Sequence, residues 1–103
     1  MITTIVTFRL PQPMSVEQAK AVFQSTAPKY LGLSGLIRKY YIVSEDGLSA
    51  GGVYLWTSRA AADAVYTDEW RAFVTAKYGA PPQITVMHSP VLVDNTTHQI
   101  VSD

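Results

Sequence analysis

The chain contains no cysteine, no excess of either charge sign and no long apolar run. Without cysteine it can form no disulfide, thiolate nucleophile or thiolate metal site. Its eight Lys and Arg residues balance eight Asp and Glu residues without a basic cluster, so we expect no nucleic-acid partner. No secretory leader is recognisable, and no segment reaches the roughly 20 apolar residues of a membrane span. These absences predict a soluble cytoplasmic protein without a membrane partner.

The length and composition predict one globular domain. A chain of 103 residues, of which 48% are hydrophobic and 16% charged, can bury one core but not two. We place a single domain at residues 1–95. Residues 96–103 are polar and are predicted to form a loose C-terminal tail.

The dipeptide Asp46-Gly47 lies between two strand-like segments and predicts a hairpin. A two-residue turn of type I′, with positive φ at both positions, is the usual interpretation of Asp-Gly in this setting. Glu45 would then pair with Leu48. In that register the opposed pairs are Ile37 with Trp56, Lys39 with Tyr54, Tyr40 with Val53, and Tyr41 with Gly52.

Neither face of this hairpin is polar. One face would carry Ile37, Lys39, Tyr41, Tyr54 and Trp56, and the other Arg38, Tyr40, Ile42, Val53 and Leu55. Both faces therefore need cover. Gly51 and Gly52 next to large aromatic residues predict rings lying across bare backbone, or a ligand approaching it.

The remaining segments predict four strands and two helical regions. The alternating residues 2–10 indicate the first strand, and residues 83–94 the last. Ser15 with Gln18 resembles a capping box, while Ser58 and Thr67 are predicted N-caps and Gly79 a helix end. The order βαββαβ predicts an α+β, ferredoxin-like fold with a four-stranded antiparallel sheet. Because helices would cover one face only, the apolar open face predicts a homodimer formed through the sheets.

The segment Ser49–Thr57, followed directly by an alanine-rich helix, carries a resemblance to a known family. Together with residues 35–41 and 91–95 it resembles the YdhR-like mono-oxygenases of the dimeric α/β-barrel superfamily. The resemblance covers roughly residues 2–95 and is densest over residues 35–57. It implies a homodimer, a cavity between each sheet and its helices, and oxygenation of a small aromatic or polyketide-like molecule by dioxygen without metal or flavin.

Three residues are the candidate catalytic groups: His88, Tyr54 and Lys39. Histidine has the intrinsic pKa for proton transfer near neutral pH, although a lone strand histidine is often a core or interface residue. A desolvated Lys39 could act as a base, or it could extend its amine to solvent. The Tyr54 hydroxyl could donate to an oxyanion, or the ring could be ordinary core.

Four further aromatic residues are candidate substrate contacts, each of which could instead be a packing residue: Tyr41, Trp56, Tyr66 and Trp70. No metal-ligand, dinucleotide or Ser-His-Asp pattern is present, so we predict no cofactor. Two other classes of function stay open. One is a dimeric module that binds small aromatic molecules without turnover; the other is an isomerase or lyase that moves protons through His88 or Lys39.

Overall fold

A computed structural model describes residues 1–103 and contains six strands and three α-helices. In chain order these are β1 (Ile2–Arg9), α1 (Val16–Thr26), β2 (Leu36–Val43), β3 (Ser49–Trp56), α2 (Arg59–Val65), α3 (Asp68–Tyr78), β4 (Gln83–His88), β5 (Val91–Asp94) and β6 (Gln99–Ser102). A short 3₁₀ turn, Ala27–Lys29, follows α1. The predicted βαββαβ order is confirmed through β4, and β5 and β6 form an additional hairpin.

The main sheet has the strand order β2-β3-β1-β4, and every neighbouring pair is antiparallel. Alternate residues of β1 are buried on one face, where they join a core that includes Ala19, Phe23, Ala62, Val74 and Tyr78 of the helices. The period of two in a strand makes this one-sided burial possible. The α+β, ferredoxin-like prediction is therefore confirmed.

Each α-helix begins directly after the polar residue that the sequence predicts as its N-cap. Ser15 and Gln18 form the complete capping box of α1, with the Ser15 side chain accepting from the Gln18 amide. The Ser58 and Thr67 side chains cap α2 and α3 in the same way. Gly79 ends α3 in the left-handed conformation that glycine adopts without steric cost. These caps determine where each helix enters the layer above the sheet.

The hairpin between β2 and β3 has the predicted register over most of its length. Lys39 lies opposite Tyr54, Tyr40 opposite Val53, and Tyr41 opposite Gly52. The turn type differs from the prediction, because Gly47 has a positive φ and Asp46 does not. The ladder closes between Ser44 and Ser49 rather than between Glu45 and Leu48. The Asp46 carboxylate shapes the loop by accepting from the Leu48 amide at 3.0 Å.

The predicted pair of Ile37 with Trp56 is wrong. The register shifts between Leu36 and Arg38, so that Leu36 takes the position opposite Trp56. An extra residue in one strand of a pair forms a bulge and leaves that residue outside the ladder. Ile37 is accordingly exposed, with 44% of its surface accessible.

The C-terminal part also differs from the prediction. The strand expected over residues 83–94 is interrupted after His88, since Ser89-Pro90 breaks the ladder and Pro lacks the amide donor. Residues 99–102 are not a loose tail: β6 pairs with β5 from Val91↔Ser102 to Asp94↔Gln99. An ion pair between Arg38 and Asp94, 3.1 Å apart, connects this hairpin to β2.

The β5–β6 hairpin covers only part of the open sheet face. Val91 and Leu92 share a cleft of about 160 Å³ with Tyr40, Val53 and Leu55. Several large apolar side chains stay exposed on the open face and on the hairpin: Tyr40, Met87, Val91, Val93 and Ile100. The expectation that both faces need cover is therefore met for the helix face and only partly for the other.

Candidate functional site

The Lys39 side chain lies among three tyrosine rings on the helix face of the sheet. Its Nζ atom is 3.4 Å from the ring centroid of Tyr30, 3.8 Å from that of Tyr41 and 4.5 Å from that of Tyr54. The pairing of β2 with β3 supplies the last of these contacts, and the segment after the 3₁₀ turn supplies Tyr30. We call Tyr30, Tyr41 and Tyr54 the tyrosine box.

The missing side chain of Gly52 makes room for this arrangement. A Cβ atom at Gly52 would lie 2.9 Å from Cε1 of Tyr54 and 3.2 Å from Cε of Lys39. The Tyr54 ring therefore crosses the bare backbone of its own strand, as the sequence predicts. Any larger residue at this position would push the ring or the lysine out of place.

Desolvation dominates the protonation of Lys39. Burial lowers the pKa of its ammonium group to about 7, because the charged form loses hydration. None of the ion pairs in the structure includes Lys39, so no carboxylate opposes this shift. The three ring faces do favour the charged form. Near neutral pH the amine is consequently present in both protonation states.

Two of the tyrosines beside this amine, Tyr54 and Tyr41, have raised pKa values and stay protonated. Burial raises the pKa of Tyr54 far above its ordinary value, and the neighbouring phenols of Tyr30 and Tyr66 raise it further. Burial also raises the pKa of Tyr41, partly opposed by its hydrogen bond of 2.8 Å with the Thr26 hydroxyl. Neutral phenols keep their O–H proton and can donate hydrogen bonds.

Two cavities meet at the tyrosine box. The inner cavity, between the sheet and the helices, has a volume of about 20 Å³ and is bounded by Tyr54, Trp70 and apolar core residues. The outer groove, beside the free edge of β2, has a volume of about 500 Å³. Tyr30, Lys39 and Tyr41 line both spaces. The amine therefore lies at the boundary between a small enclosed void and an open groove.

The structure brings together four of the seven predicted site residues. Lys39, Tyr41, Tyr54 and Trp70 line the inner cavity. The Trp70 indole N–H also donates to the Tyr30 hydroxyl at 3.0 Å, which holds that ring beside the amine. The predicted cavity between sheet and helices is present, although it is much smaller than an aromatic substrate.

Trp56 and Tyr66 are placed in the core rather than at either cavity. Trp56 has no accessible surface, and its indole N–H donates to the Thr4 hydroxyl at 2.9 Å. Tyr66 shares a hydrogen bond of 2.6 Å with the same hydroxyl. The Trp56 ring is parallel to that of Tyr54, with centroids 5.7 Å apart. Both rings pack against Tyr54 on the core side and so hold the tyrosine box in place.

His88 is separated from the other candidates. It is the last residue of β4, pairs with Ile2 across the sheet and is exposed. It lines neither the inner cavity nor the outer groove. His88 ends β4, which is an edge strand of the sheet, and its side chain is exposed to solvent.

Sequence reasoning missed the site role of Tyr30 and Thr26. Both belong to a helical stripe formed by Ala19, Val22, Phe23, Thr26 and Tyr30, a pattern that indicates packing against the sheet rather than contact with Lys39. The signal that could have found them is the direction of this stripe. A stripe that faces β2 brings its last aromatic residue over the Lys39 position.

No three His, Asp or Glu side chains converge as a metal site. No helix has the length and apolar character needed to cross a membrane.

Comparison of the fold with solved structures finds several mono-oxygenases at low sequence identity. One is a mono-oxygenase from the gene ActVA-Orf6 of Streptomyces coelicolor, in complex with the ligand nanaomycin D. It is 20% identical with a TM-score of 0.64, and the match covers 85% of this chain and 86% of that one. Another is SnoaB, a cofactor-independent oxygenase from Streptomyces nogalater, at 18% identity and a TM-score of 0.61, covering 85% and 91%.

A third structure, an antibiotic biosynthesis mono-oxygenase, is 15% identical with a TM-score of 0.63, covering 86% of this chain and 98% of that one. No protein-family model matches the chain, and no curated protein matches it by sequence. The shared property is the fold. The chain thus shares an α+β, ferredoxin-like fold with these solved structures.

The lowered pKa of Lys39 predicts a specific pH dependence of stability. Between the folded pKa of about 7 and the unfolded value of about 10.4, the unfolded chain binds a proton that the folded chain does not. The free energy of unfolding should therefore rise with pH across this window. Above roughly pH 10 it should fall, since tyrosines with raised pKa values ionise first in the unfolded chain.

Urea unfolding of the wild type and of Lys39→Met at several pH values tests this. The rise should be absent in Lys39→Met and present in Lys29→Met, which removes an exposed lysine that also lies over a ring, 3.7 Å from the centroid of Phe73. Parallel curves for the wild type and Lys39→Met would show that Lys39 titrates as it does in the unfolded chain.

Proposed function

We propose that this protein is a mono-oxygenase of the YdhR-like kind that oxidises a small electron-rich aromatic or polyketide-like molecule with dioxygen, without metal or flavin. The observation that carries the proposal is the Lys39 amine, which lies in the tyrosine box and borders a groove of about 500 Å³. A groove of this volume suits a small organic ligand. The likeness in fold to mono-oxygenases supports the same reaction class.

The first step is removal of a proton from a phenol or hydroquinone. Deprotonated Lys39 accepts this proton, and the resulting ammonium stays beside the new phenolate as its counter-ion. A base whose pKa is about 7 is available at neutral pH and still accepts a proton readily. The three ring faces stabilise the ammonium that forms.

Tyr54 is the proposed donor to the oxyanion. Its raised pKa keeps the hydroxyl protonated at every pH at which Lys39 works. A neutral phenol in a site shielded from water stabilises a developing anion more strongly than it would in solution. Tyr41, which lines the groove, would contact the substrate ring. Trp70, Trp56 and Tyr66 would hold the rings of the tyrosine box in place.

The aromatic substrate itself supplies the electrons for oxygen. In the simplest case a phenol and dioxygen give a quinone and water: one oxygen atom enters the ring, and the other leaves as water with two electrons and two protons from the substrate. The substrate would occupy the outer groove, with its reacting oxygen directed past Lys39 toward the inner cavity that Tyr54 lines. The inner cavity of about 20 Å³ has room for a molecule the size of water or dioxygen.

A binding module that does not turn over its ligand is the second candidate. The small inner cavity favours it, because the box in its present shape encloses no aromatic ring. An isomerase or lyase that moves protons through Lys39 or His88 is the third class. Oxygen dependence separates these classes, since only the mono-oxygenase consumes dioxygen.

We further propose that two copies associate through their open sheet faces. Exposed apolar side chains on that face and on the β5–β6 hairpin supply the contact area: Tyr40, Met87, Val91, Val93 and Ile100. Several such side chains on one face of a small domain indicate a protein interface. Their burial would contribute about 25 cal/mol per Å².

The dimer predicts that thermal unfolding depends on protein concentration. Sedimentation should give twice the mass of one chain, and the melting temperature should rise with concentration. Tyr40→Glu places a charge on the open face and should shift the equilibrium from the dimer toward the monomer. Leu31→Glu changes a residue that is 88% exposed beside the groove and serves as the control. A single-chain mass at micromolar concentration for the wild type would contradict the dimer.

Oxygen uptake tests the reaction. Purified protein treated with chelator should consume dioxygen with a panel of phenols and naphthols, and kcat/KM should rise with pH through about 7 as Lys39 loses its proton. Lys39→Met should lower the rate about a hundredfold, the usual contribution of a general base. Tyr54→Phe should lower it by about the same factor. Lys29→Met and His88→Ala should leave it unchanged.

Two results would change the assignment. A large loss in His88→Ala without one in Lys39→Met would place the base elsewhere. Binding of several compounds at micromolar concentration without oxygen uptake would favour the binding module.

A further inference from the structure

The Lys39 amine combines access with the lack of a counter-ion. It lines the outer groove, so a small molecule can reach it without passing through the core. The phenols of Tyr41 on β2, Tyr54 on β3 and Tyr30 after the 3₁₀ turn face it, and Arg38 is the other charged residue that lines the groove. No carboxylate is among them. The other three lysines, Lys20, Lys29 and Lys77, are exposed on the surface.

This surrounding suits a nucleophilic amine. A lysine attacks a carbonyl carbon only when it carries no proton, and apolar surroundings favour that form. The tyrosine box also remains favourable after such a reaction, because a protonated imine keeps the positive charge at the same nitrogen. The ring contacts that stabilise an ammonium stabilise the iminium as well.

We propose that the Lys39 amine captures small aldehydes and ketones from the outer groove as a reversible imine. This activity goes beyond the proposed oxygenation, because it requires neither a phenol nor dioxygen. Lys39 would thus be a covalent binding site, and carbonyl compounds would be a second chemical class of ligand for the same groove.

The chemistry balances without an oxidant or a reductant. The nitrogen lone pair forms a bond to the carbonyl carbon, and one proton moves from nitrogen to the carbonyl oxygen, which gives a carbinolamine. Protonation of that hydroxyl allows water to leave while the C=N bond forms. Hydrolysis reverses both steps and returns the free amine and the carbonyl compound.

The protonation of Lys39 agrees with this assignment. With its pKa lowered to about 7, about half of the amine is unprotonated at neutral pH, whereas an exposed lysine with a pKa of about 10.4 has less than about one part in a thousand in that form. A less basic amine is also intrinsically less nucleophilic, which offsets part of this advantage. We therefore expect a rate advantage of at least about tenfold.

Reductive trapping on the wild-type chain tests the proposal without requiring a variant to fold. Benzaldehyde and sodium cyanoborohydride are added under nitrogen at pH 7, and peptide mass mapping measures benzylation at each lysine. Lys39 should be modified at least about tenfold faster than Lys20, Lys29 and Lys77. The α-amino group of Met1 is mapped separately, because terminal amines react readily in any protein. Modification of Lys39 at the rate of the surface lysines or below would overturn the proposal.

A variant of the box tests the cause of the reactivity. Tyr30→Ala removes the ring nearest to Nζ and lets water reach the amine, so modification of Lys39 should fall severalfold at pH 7 but not at pH 10. Tyr40→Ala, on the opposite face of the same strand, should change neither rate. An equal change at both pH values in Tyr30→Ala would mean that the ring controls access only, and would contradict activation by the tyrosine box.

Discussion

The glycine at position 52 determines how the aromatic residues and Lys39 share one face of the sheet. With no Cβ there, the Tyr54 ring lies across its own strand, and the Lys39 chain passes 3.2 Å from where that atom would be. The opposed pair Lys39↔Tyr54 then directs the amine inward, toward Tyr30 and Tyr41, rather than along the edge of the sheet. The site depends on close packing around a missing side chain, so small changes of volume at this point should be felt strongly.

Two opposed physical effects then define the chemistry of the amine. Desolvation favours the neutral form and lowers the pKa to about 7, while three ring faces favour the cation. Their balance gives a group that can accept and return a proton near neutral pH. The same balance supports both proposals, since a base and a nucleophile each require the unprotonated amine and a tolerated positive charge afterwards. Neighbouring phenols with raised pKa values supply donors that stay protonated.

The sequence was sufficient for the parts of the site that depend on local pairing. The hairpin register predicted Lys39 opposite Tyr54. This pairing is correct despite the wrong turn type, because the observed four-residue loop is centred on the same Asp46-Gly47 dipeptide as the predicted two-residue turn. The register failed at Ile37, where a bulge moved one residue out of the ladder. Tyr30 and His88 depend on tertiary placement. The 3₁₀ turn after α1 brings Tyr30 over the amine, whereas His88 ends the edge strand β4 and is exposed. Neither effect is visible in the pattern of a single strand.

Direct titration of the four lysines by NMR tests the central claim most directly. With ¹³C-labelled lysine, the Cε resonance of each residue reports the protonation of its own amine, and Lys39→Arg assigns the relevant signal. The account predicts a midpoint near pH 7 for the Lys39 signal, well below the reference value of about 10.4 for a hydrated lysine. A midpoint near the reference value for the Lys39 signal would show that its amine remains a hydrated ammonium, and would remove the physical basis for both the base and the imine-forming nucleophile.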